Sequence, residues 1–222
     1  MKFYFNGSPN PTKVALFLEE AGLPYDPIPV DTRKGDQFRP EFLVLNPNGK
    51  VPVLDDGGAI VFDSNAILLY LAEKTGQFLP APADRAQMLS WLMFVASGVG
   101  PFSGQAVHFR HFSPEKVGYA HKRYQFEATR HYEILDRRLG AHPFLVGGAY
   151  SFVDMAAWAW ARMIPFILGE EAFARLPHLK AWHDGIAARP AAQRAVTLKD
   201  RFPFKTTMDE EARAVMFRHL AT

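Results

Sequence analysis

One stretch of this 222-residue chain constrains its fold more than any other: Asn48-Gly49-Lys50-Val51-Pro52-Val53-Leu54, followed further on by Phe62-Asp63-Ser64-Asn65. Val51, Val53 and Leu54 read as a strand. Pro52 has no N–H to give to a ladder, so it belongs at an edge or an irregular position. Placed there, it lets Val51 turn its own N–H and C=O outward to an extended peptide, the logic of strand addition. Asp63-Ser64-Asn65 then precede the apolar run Ala66-Ile67-Leu68-Leu69-Tyr70-Leu71. This is a helix start, whose free N–H groups and positive dipole end favour a carboxylate. A backbone clamp and an anion seat on one segment make a receptor for a short peptide.

The surrounding pattern alternates strand and helix. Residues 2–5 read as a strand. Residues 12–21 read as a helix, with Val14, Leu16, Phe17 and Leu18 apolar and Gly22 as the stop. Residues 25–30 form a second strand, placed at an edge by Pro27 and Pro29. A short helix over 40–45 leads to Asn46-Pro47-Asn48-Gly49. Residues 51–54 and 59–62, joined by Asp55-Asp56-Gly57-Gly58, give a hairpin signal. A helix over 64–74, ended by Gly76, closes the unit. The break at 75–84, with Gly76, Pro80 and Pro82, reads as a linker between residues 1–77 and 84–222. Beyond it the period is helical: 84–99, 114–139, 153–167 and 176–188, with a terminal helix over 209–220. Ser151-Phe152-Val153-Asp154 has the form of a capping box, a folding device rather than a site.

Composition excludes several chemistries. With 48% hydrophobic and 22% charged residues, the chain matches a globular protein. A net charge of +2 and no basic stripe argue against nucleic acid. The absence of cysteine removes disulfides, a protein thiol nucleophile and thiolate metal sites together, so any sulfur chemistry belongs to a bound ligand. Eight scattered histidines suggest no metal. The start reaches Asn6-Gly7 too soon for a signal peptide. The longest apolar run, 66–72, is far short of the ~20 residues of a membrane span. A cytosolic location is the expectation.

A βαβ unit followed by ββα, with a proline ahead of the hairpin and an all-helical second half, resembles the glutathione transferase superfamily. The resemblance runs through Lys50-Val51-Pro52, Asp63-Ser64, the Leu-Tyr-Leu helix, the linker and Ser151-x-x-Asp154. Finer points resemble the bacterial nu class, which has disulfide-bond reductase activity. These are Ser8-Pro9-Asn10, the run from Lys34 to Phe42 with Gln37, the run from Ala66 to Gly76, Gly100-Pro101, Gly104-Gln105 and Arg123-Tyr124-Gln125. Ser8 stands where that class commonly carries Thr, which keeps the hydroxyl. Pro11-Thr12 stand where Gly often follows the Asn.

The resemblance implies an α/β thioredoxin-like N-terminal domain that binds glutathione and an all-α C-terminal domain that supplies the substrate wall. It also implies a cis bond before Pro52. In that reading Ser64 and its helix-start amides hold the γ-glutamyl carboxylate, with Asp63 or a partner-subunit acid near the ammonium. Val51 pairs with the cysteinyl backbone, Lys50 and Gln37 meet the glycyl end, and Arg123 reaches a glutathione carboxylate. Read from the residues alone, Ser64 also suits a helix cap, Lys50 and Gln37 suit solvated positions, Arg123 suits an exposed helix face, and Pro52 suits a shaped loop.

The thiol needs activation, because a free one is only a few per cent ionised at neutral pH. One hydrogen bond to charged sulfur, roughly 1.5–3 kcal/mol, plus a helix N-terminus, roughly 0.3–1 kcal/mol, is enough. Ser8 and Asn10, just ahead of the first helix, are the catalytic candidates, although Gly-Ser-Pro-Asn-Pro is also ordinary turn chemistry. Tyr4 is a rival donor, but its place inside a strand favours core packing. His108, Phe109, His111 and Phe112 are candidates for the second-substrate wall. The function expected is glutathione-dependent disulfide-bond oxidoreduction on a small disulfide. The alternatives are conjugation of glutathione to an electrophile, or a binding protein without activity. Family analogy implies a homodimer.

Overall fold

The computed structural model describes residues 1–218. The chain divides into two compact units, residues 1–70 with the segment from 191 onward, and residues 71–190.

The first unit is built on a four-stranded sheet of order β2-β1-β3-β4. Strand β1 (Lys2–Phe5) runs parallel to β2 (Asp26–Pro29) and antiparallel to β3 (Val53–Asp56), which forms a hairpin with β4 (Ala59–Phe62). Alternation along β1 sends Phe3 and Phe5, both nearly fully buried, to one face, with Leu54 opposite Phe3. Tyr4 goes to the other face and packs on Val30, Phe42 and Val53. β2, with its two prolines, lies at the edge, where a missing donor costs no ladder bond. The hairpin turns on Gly57 and Gly58, with φ of 65° and 100°. This two-residue positive-φ turn matches the twist of the flanking strands.

Helix α1 (Pro9–Glu20) starts three residues before the sequence-derived boundary. Pro9 and Pro11 lie in its first turn, where backbone N–H groups have no intrahelical acceptor and a fixed φ is already helical. Asn10 is therefore inside the first turn rather than ahead of it. β3 starts at Val53, two residues after the expected start, because Pro52 cannot enter the ladder. Helix α2 (Pro40–Leu45) and helix α3 (Ser64–Thr75) follow the sequence reading to within a residue. The segment after residue 190 returns to this unit. Phe202 and Phe204 set their rings edge-on to Phe5, at centroid distances of 5.4 and 5.8 Å. Lys205 donates its N–H to Asp31 Oδ2 at 2.7 Å, and its carbonyl accepts from Arg33 Nη1 at 2.7 Å.

The second unit is helical. Helix α4 (Arg85–Phe94) continues through a π turn at Val95–Val99 into α5 (Gly100–Val107) and a further π turn at His108–Phe112. The helix read from the sequence stops at residue 99, just before Gly100-Pro101. The π turn carries the chain past it, with Gly100 N–H reaching back to Val95 O. Helix α6 (Gly118–Ala141) packs its buried Tyr132 hydroxyl 2.8 Å from Ser103 Oγ. Pro165 divides the expected 153–167 helix into α7 (Phe152–Ala161) and α8 (Ile164–Leu168), and α9 spans Pro177–Ala187. At the start of α7, Ser151 and Asp154 form the capping box. Asp154 also accepts from Leu145 N and Trp182 Nε1. α10 (Pro190–Thr197) and α11 (Glu210–Met216), on the segment that returns to the first unit, close the described chain. Residues 219–220 of the expected terminal helix lie outside the described residues.

Candidate active site

Three short segments of the first unit converge on a cavity of about 300 Å³. Its lining includes Asn10, Lys50, Val51, Pro52, Asp63 and Ser64.

The loop before β3 is held from within. Asn46, 2% exposed, donates from Nδ2 to Lys50 O at 2.7 Å and accepts Asn48 N–H at 3.0 Å. Gly49 turns the chain at φ 61°, and a Cβ there would press on Phe38 and the Gln37 carbonyl at 3.3 Å. The Val51–Pro52 peptide is cis. Val51 lies outside the strand, which begins at Val53, and its backbone N–H and C=O make no hydrogen bond among the described residues. Those are the groups an extended peptide would pair with.

The start of α3 is capped by Asp63, at φ 69°. Its Oδ1 accepts Asn65 N–H at 2.8 Å and Ala66 N–H at 3.2 Å. Ser64 is therefore released from capping its own helix. It is 3% exposed and lines the cavity, and its hydroxyl has no partner among the described residues. Beneath this turn lies Lys13, on α1 and 1% exposed. Its Nζ is 3.1 Å from Asn65 Oδ1. Burial pulls the Lys13 ammonium down to about 7, while the Asp63 carboxylate acts in the opposite sense.

At the start of α1, Asn6 Oδ1 accepts both Ser8 N–H at 3.0 Å and Ser8 Oγ–H at 2.6 Å. The Ser8 carbonyl accepts Thr12 Oγ1 at 2.9 Å. Asn10 faces the 300 Å³ cavity. Ser8 instead lines a second cavity of about 370 Å³ in the same unit, shared with Asn6, Arg33, Phe204, Lys205 and Met216. The Ser8-Pro9-Asn10 turn thus forms the wall between two spaces.

Six of the nine sequence-derived site residues line one cavity, and Ser8 is two residues away on the other side of the helix start. Gln37 is buried elsewhere in the unit, its Nε2 donating to Thr32 O at 3.2 Å and its Oε1 without a partner among the described residues. Arg123 is on α6 in the helical unit, half exposed, with Nη1 2.8 Å from Glu127 Oε1. Sequence reasoning missed Asn6, Asn46 and Lys13. Asn46 was legible as an Asx residue opening Asn-Pro-Asn-Gly. Lys13 carried no such local signal, because its ammonium meets a side chain 52 residues further along the chain. Among the described residues no group of His, Asp and Glu is placed to hold a metal ion, and no helix is long and apolar enough to cross a membrane.

Residues 7–74 match the family model for the glutathione S-transferase N-terminal domain, and residues 101–190 match that for the C-terminal domain. The chain belongs to the glutathione transferase family. This glutathione transferase is 45% identical to the disulfide-bond oxidoreductase YfcG of Escherichia coli K12, over 87% of its own length and 93% of that protein. It is 37% identical to the disulfide-bond oxidoreductase YghU of the same organism, over 87% of its length and 73% of the relative. Among solved structures it is similar to a glutathione transferase from Burkholderia graminis with two glutathione molecules bound per subunit. The TM-score is 0.84 and the identity 36%, covering 90% of this chain and 89% of that one. A glutathione transferase from Pseudomonas putida, with one glutathione disulfide bound per subunit, gives a TM-score of 0.81 at 34% identity, covering 89% and 90%.

Proposed function

We propose that this glutathione transferase is a glutathione-dependent disulfide-bond oxidoreductase. The observation that carries the reading is the Ser64 hydroxyl, without a partner among the described residues at a helix start, lining one cavity with the unpaired Val51 backbone. A carboxylate suits the first position, with hydroxyl, helix amides and dipole together. A peptide unit suits the second. Glutathione carries both, at the γ-glutamyl and cysteinyl units, and Asp63 Oδ2 is the acid for its ammonium. Lys50, exposed at the rim, is assigned to the glycyl carboxylate. Gln37 is assigned to support the loop at that end, and Arg123 to a glutathione carboxylate.

In this assignment the cysteinyl sulfur lies beside the start of α1. The Asn10 side chain and the Ser8 hydroxyl stabilise its thiolate, aided by the positive end of the helix. The thiolate attacks one sulfur of a substrate disulfide. A sulfur–sulfur bond forms to glutathione, the substrate bond breaks, and the leaving thiolate takes a proton. A second glutathione thiolate then attacks the mixed disulfide and releases the other substrate thiol with glutathione disulfide. Two glutathiones are oxidised and one disulfide is reduced. With no cysteine, the protein never joins the exchange covalently. The two cavities flanking Ser8-Pro9-Asn10 suit the two halves of a disulfide.

Residues 1–77 act in this reading as the glutathione domain and 84–222 as the substrate wall. A cytosolic homodimer is the assembly we assign, on the family resemblance. The deciding experiment compares turnover of a small disulfide and of an aryl halide, each with glutathione. Faster disulfide reduction is the expected result. Turnover of the halide alone would make the protein a conjugating transferase, and turnover of neither with no glutathione binding would make it a binding protein.

A further inference from the structure

We infer that Lys13 is a positioning residue for the γ-glutamyl end of glutathione, acting from inside the protein through Asn65 and the turn that carries Ser64. The inference rests on the proposed glutathione site. Its premise is a charge problem at the start of α3. Asp63 already takes two of the helix-start N–H groups and places a carboxylate where a ligand carboxylate must also come. Two anions at one helix end repel, and the helix dipole, worth roughly 0.3–1 kcal/mol per anion, does not offset both. The ligand's own ammonium, paired with Asp63, offsets one of the two negative charges, and a cation close by would offset the other.

Of the cavity's lining residues, the charged ones are Lys50 and Asp63. Lys50 is at the far end, on the loop before β3, and is exposed to solvent. Lys13 is behind the α3 turn, fully enclosed, and bonded to the side chain of the residue after Ser64. An ammonium has three donors, and Asn65 Oδ1 is its one hydrogen-bond acceptor among the described residues. A buried lysine with a single neutral acceptor is costly for folding, since burial of charge without full pairing is unfavourable. A methionine-like chain would fill the same space without that cost. The position makes physical sense if the charge is used when an anion arrives. Asn65 passes the constraint on, because its backbone N–H is fixed by Asp63 while its side chain is fixed by Lys13. The tether holds the Ser64 hydroxyl toward the cavity.

The test compares two thiol-blocked ligands, S-methylglutathione and S-methylcysteinylglycine, which lacks the γ-glutamyl unit. Binding is measured by calorimetry to the full-length wild type and to Lys13→Met. The variant is expected to bind the tripeptide about tenfold more weakly, the scale of one charge acting at short range in a partly buried site. The dipeptide is expected to bind both proteins equally. In the disulfide assay the KM for glutathione should rise about as much, with kcat at saturating glutathione within about twofold, because uniform binding and not the sulfur chemistry is altered. The thermal midpoint should hold or rise, whereas a merely structural lysine would lower it. Asn65→Ala, which removes the tether but keeps the cation, should weaken the tripeptide selectively as well. It decides the matter should Lys13→Met fail to fold. Equal tripeptide affinity in the variants, or an equal loss for both ligands, overturns the inference. A wild type that binds neither ligand instead overturns the glutathione site itself.

Discussion

Ser8 gives its single hydroxyl proton to Asn6 Oδ1 at 2.6 Å. The orientation of Asn6 is fixed, because the same oxygen accepts Ser8 N–H and its Nδ2 donates to Thr32 Oγ1 at 3.1 Å. To stabilise a thiolate, the hydroxyl must turn from Asn6 to sulfur, exchanging one exposed hydrogen bond for one to a charged atom. The gain is the difference, so Ser8→Ala should lower kcat/KM for disulfide reduction by roughly 10-fold rather than abolish it. The rate should also rise toward a midpoint about one pH higher, since the thiol loses a stabiliser of its ionised form. Ser8→Thr keeps the hydroxyl and should restore both. A pH–rate profile for the three proteins checks this. An unshifted profile in Ser8→Ala would leave Asn10 and the helix end as the activators.

Ser64→Ala should separate binding from folding. The hydroxyl has no protein partner among the described residues, and Asp63 caps the helix in its place. Thermal stability should stay within about 0.5 kcal/mol, while the KM for glutathione rises about tenfold, the value of a hydrogen bond to a charged carboxylate. A large fall in thermal midpoint with an unchanged KM would make Ser64 a structural residue.

Asp154 is fully buried and accepts four hydrogen bonds, from Leu145 N, Trp182 Nε1, Ser151 N and Ser151 Oγ. Burial nonetheless pushes its carboxyl up to about 6. Asp154→Asn replaces one acceptor oxygen with an NH2 that faces donors, and should cost about 1–3 kcal/mol at pH 7. The sign with pH follows from the raised value. Between about 4 and 6 the folded wild type holds a proton that the unfolded chain has released, so its stability falls as pH rises through that window. Asn removes this slope. Urea unfolding at pH 4.5, 5.5 and 7 tests both statements.

How much of this was legible beforehand depended on whether the signal was local. The hairpin at Gly57-Gly58, the edge position of Pro27 and Pro29, and the Ser151–Asp154 box each follow from residues close in sequence, and each was readable. The meeting of Val51, Pro52, Asp63 and Ser64 at one cavity was readable as well, because they lie on adjacent elements of one unit. The continuation of α4 through Gly100-Pro101 was not, since a π turn is chosen by what packs against it: a Cβ on Gly100 would come 3.2 Å from Trp160 Nε1. Lys13 was missed for the opposite reason. Lysine is ordinary in a helix, and nothing within α1 shows that its ammonium meets residue 65.

Gly98 lies in the π turn opposite His131. A Cβ there would come 2.4 Å from His131 Nε2. The imidazole cannot move aside, being bonded through Nδ1 to Glu127 O at 2.6 Å and set 5.0 Å from the rings of both Phe94 and Phe102. Helix propensity alone would make Gly98→Ala stabilising by about 1 kcal/mol. Overpacking a fixed ring costs about 1–3 kcal/mol and should win. Denaturant unfolding should show a net loss, and Gly98→Ala with His131→Ala together should recover much of it, because the two positions are in direct contact.

The inferred role of Lys13 predicts a proton signature for glutathione binding. Burial holds its ammonium near 7, against an ordinary 10.5, with Asp63 the facing anion and Asn65 a neutral acceptor. At pH 7.5 the free protein therefore carries Lys13 largely uncharged. A ligand carboxylate arriving at Ser64 favours the charged form, so binding should draw a proton from the buffer. S-methylglutathione, which has no thiol to ionise, isolates this event. Its binding heat at pH 7.5 should differ between two buffers of unequal ionisation enthalpy, by an amount equal to a fraction of one proton taken up. At pH 6, where Lys13 is already charged, the difference should shrink, and in Lys13→Met it should vanish at both. The Lys13→Met control matters, because a carboxylate facing the arriving anion would also take up a proton, and its signal would survive the substitution. Equal heats in the two buffers for the wild type at pH 7.5 would mean that the lysine keeps one charge state throughout.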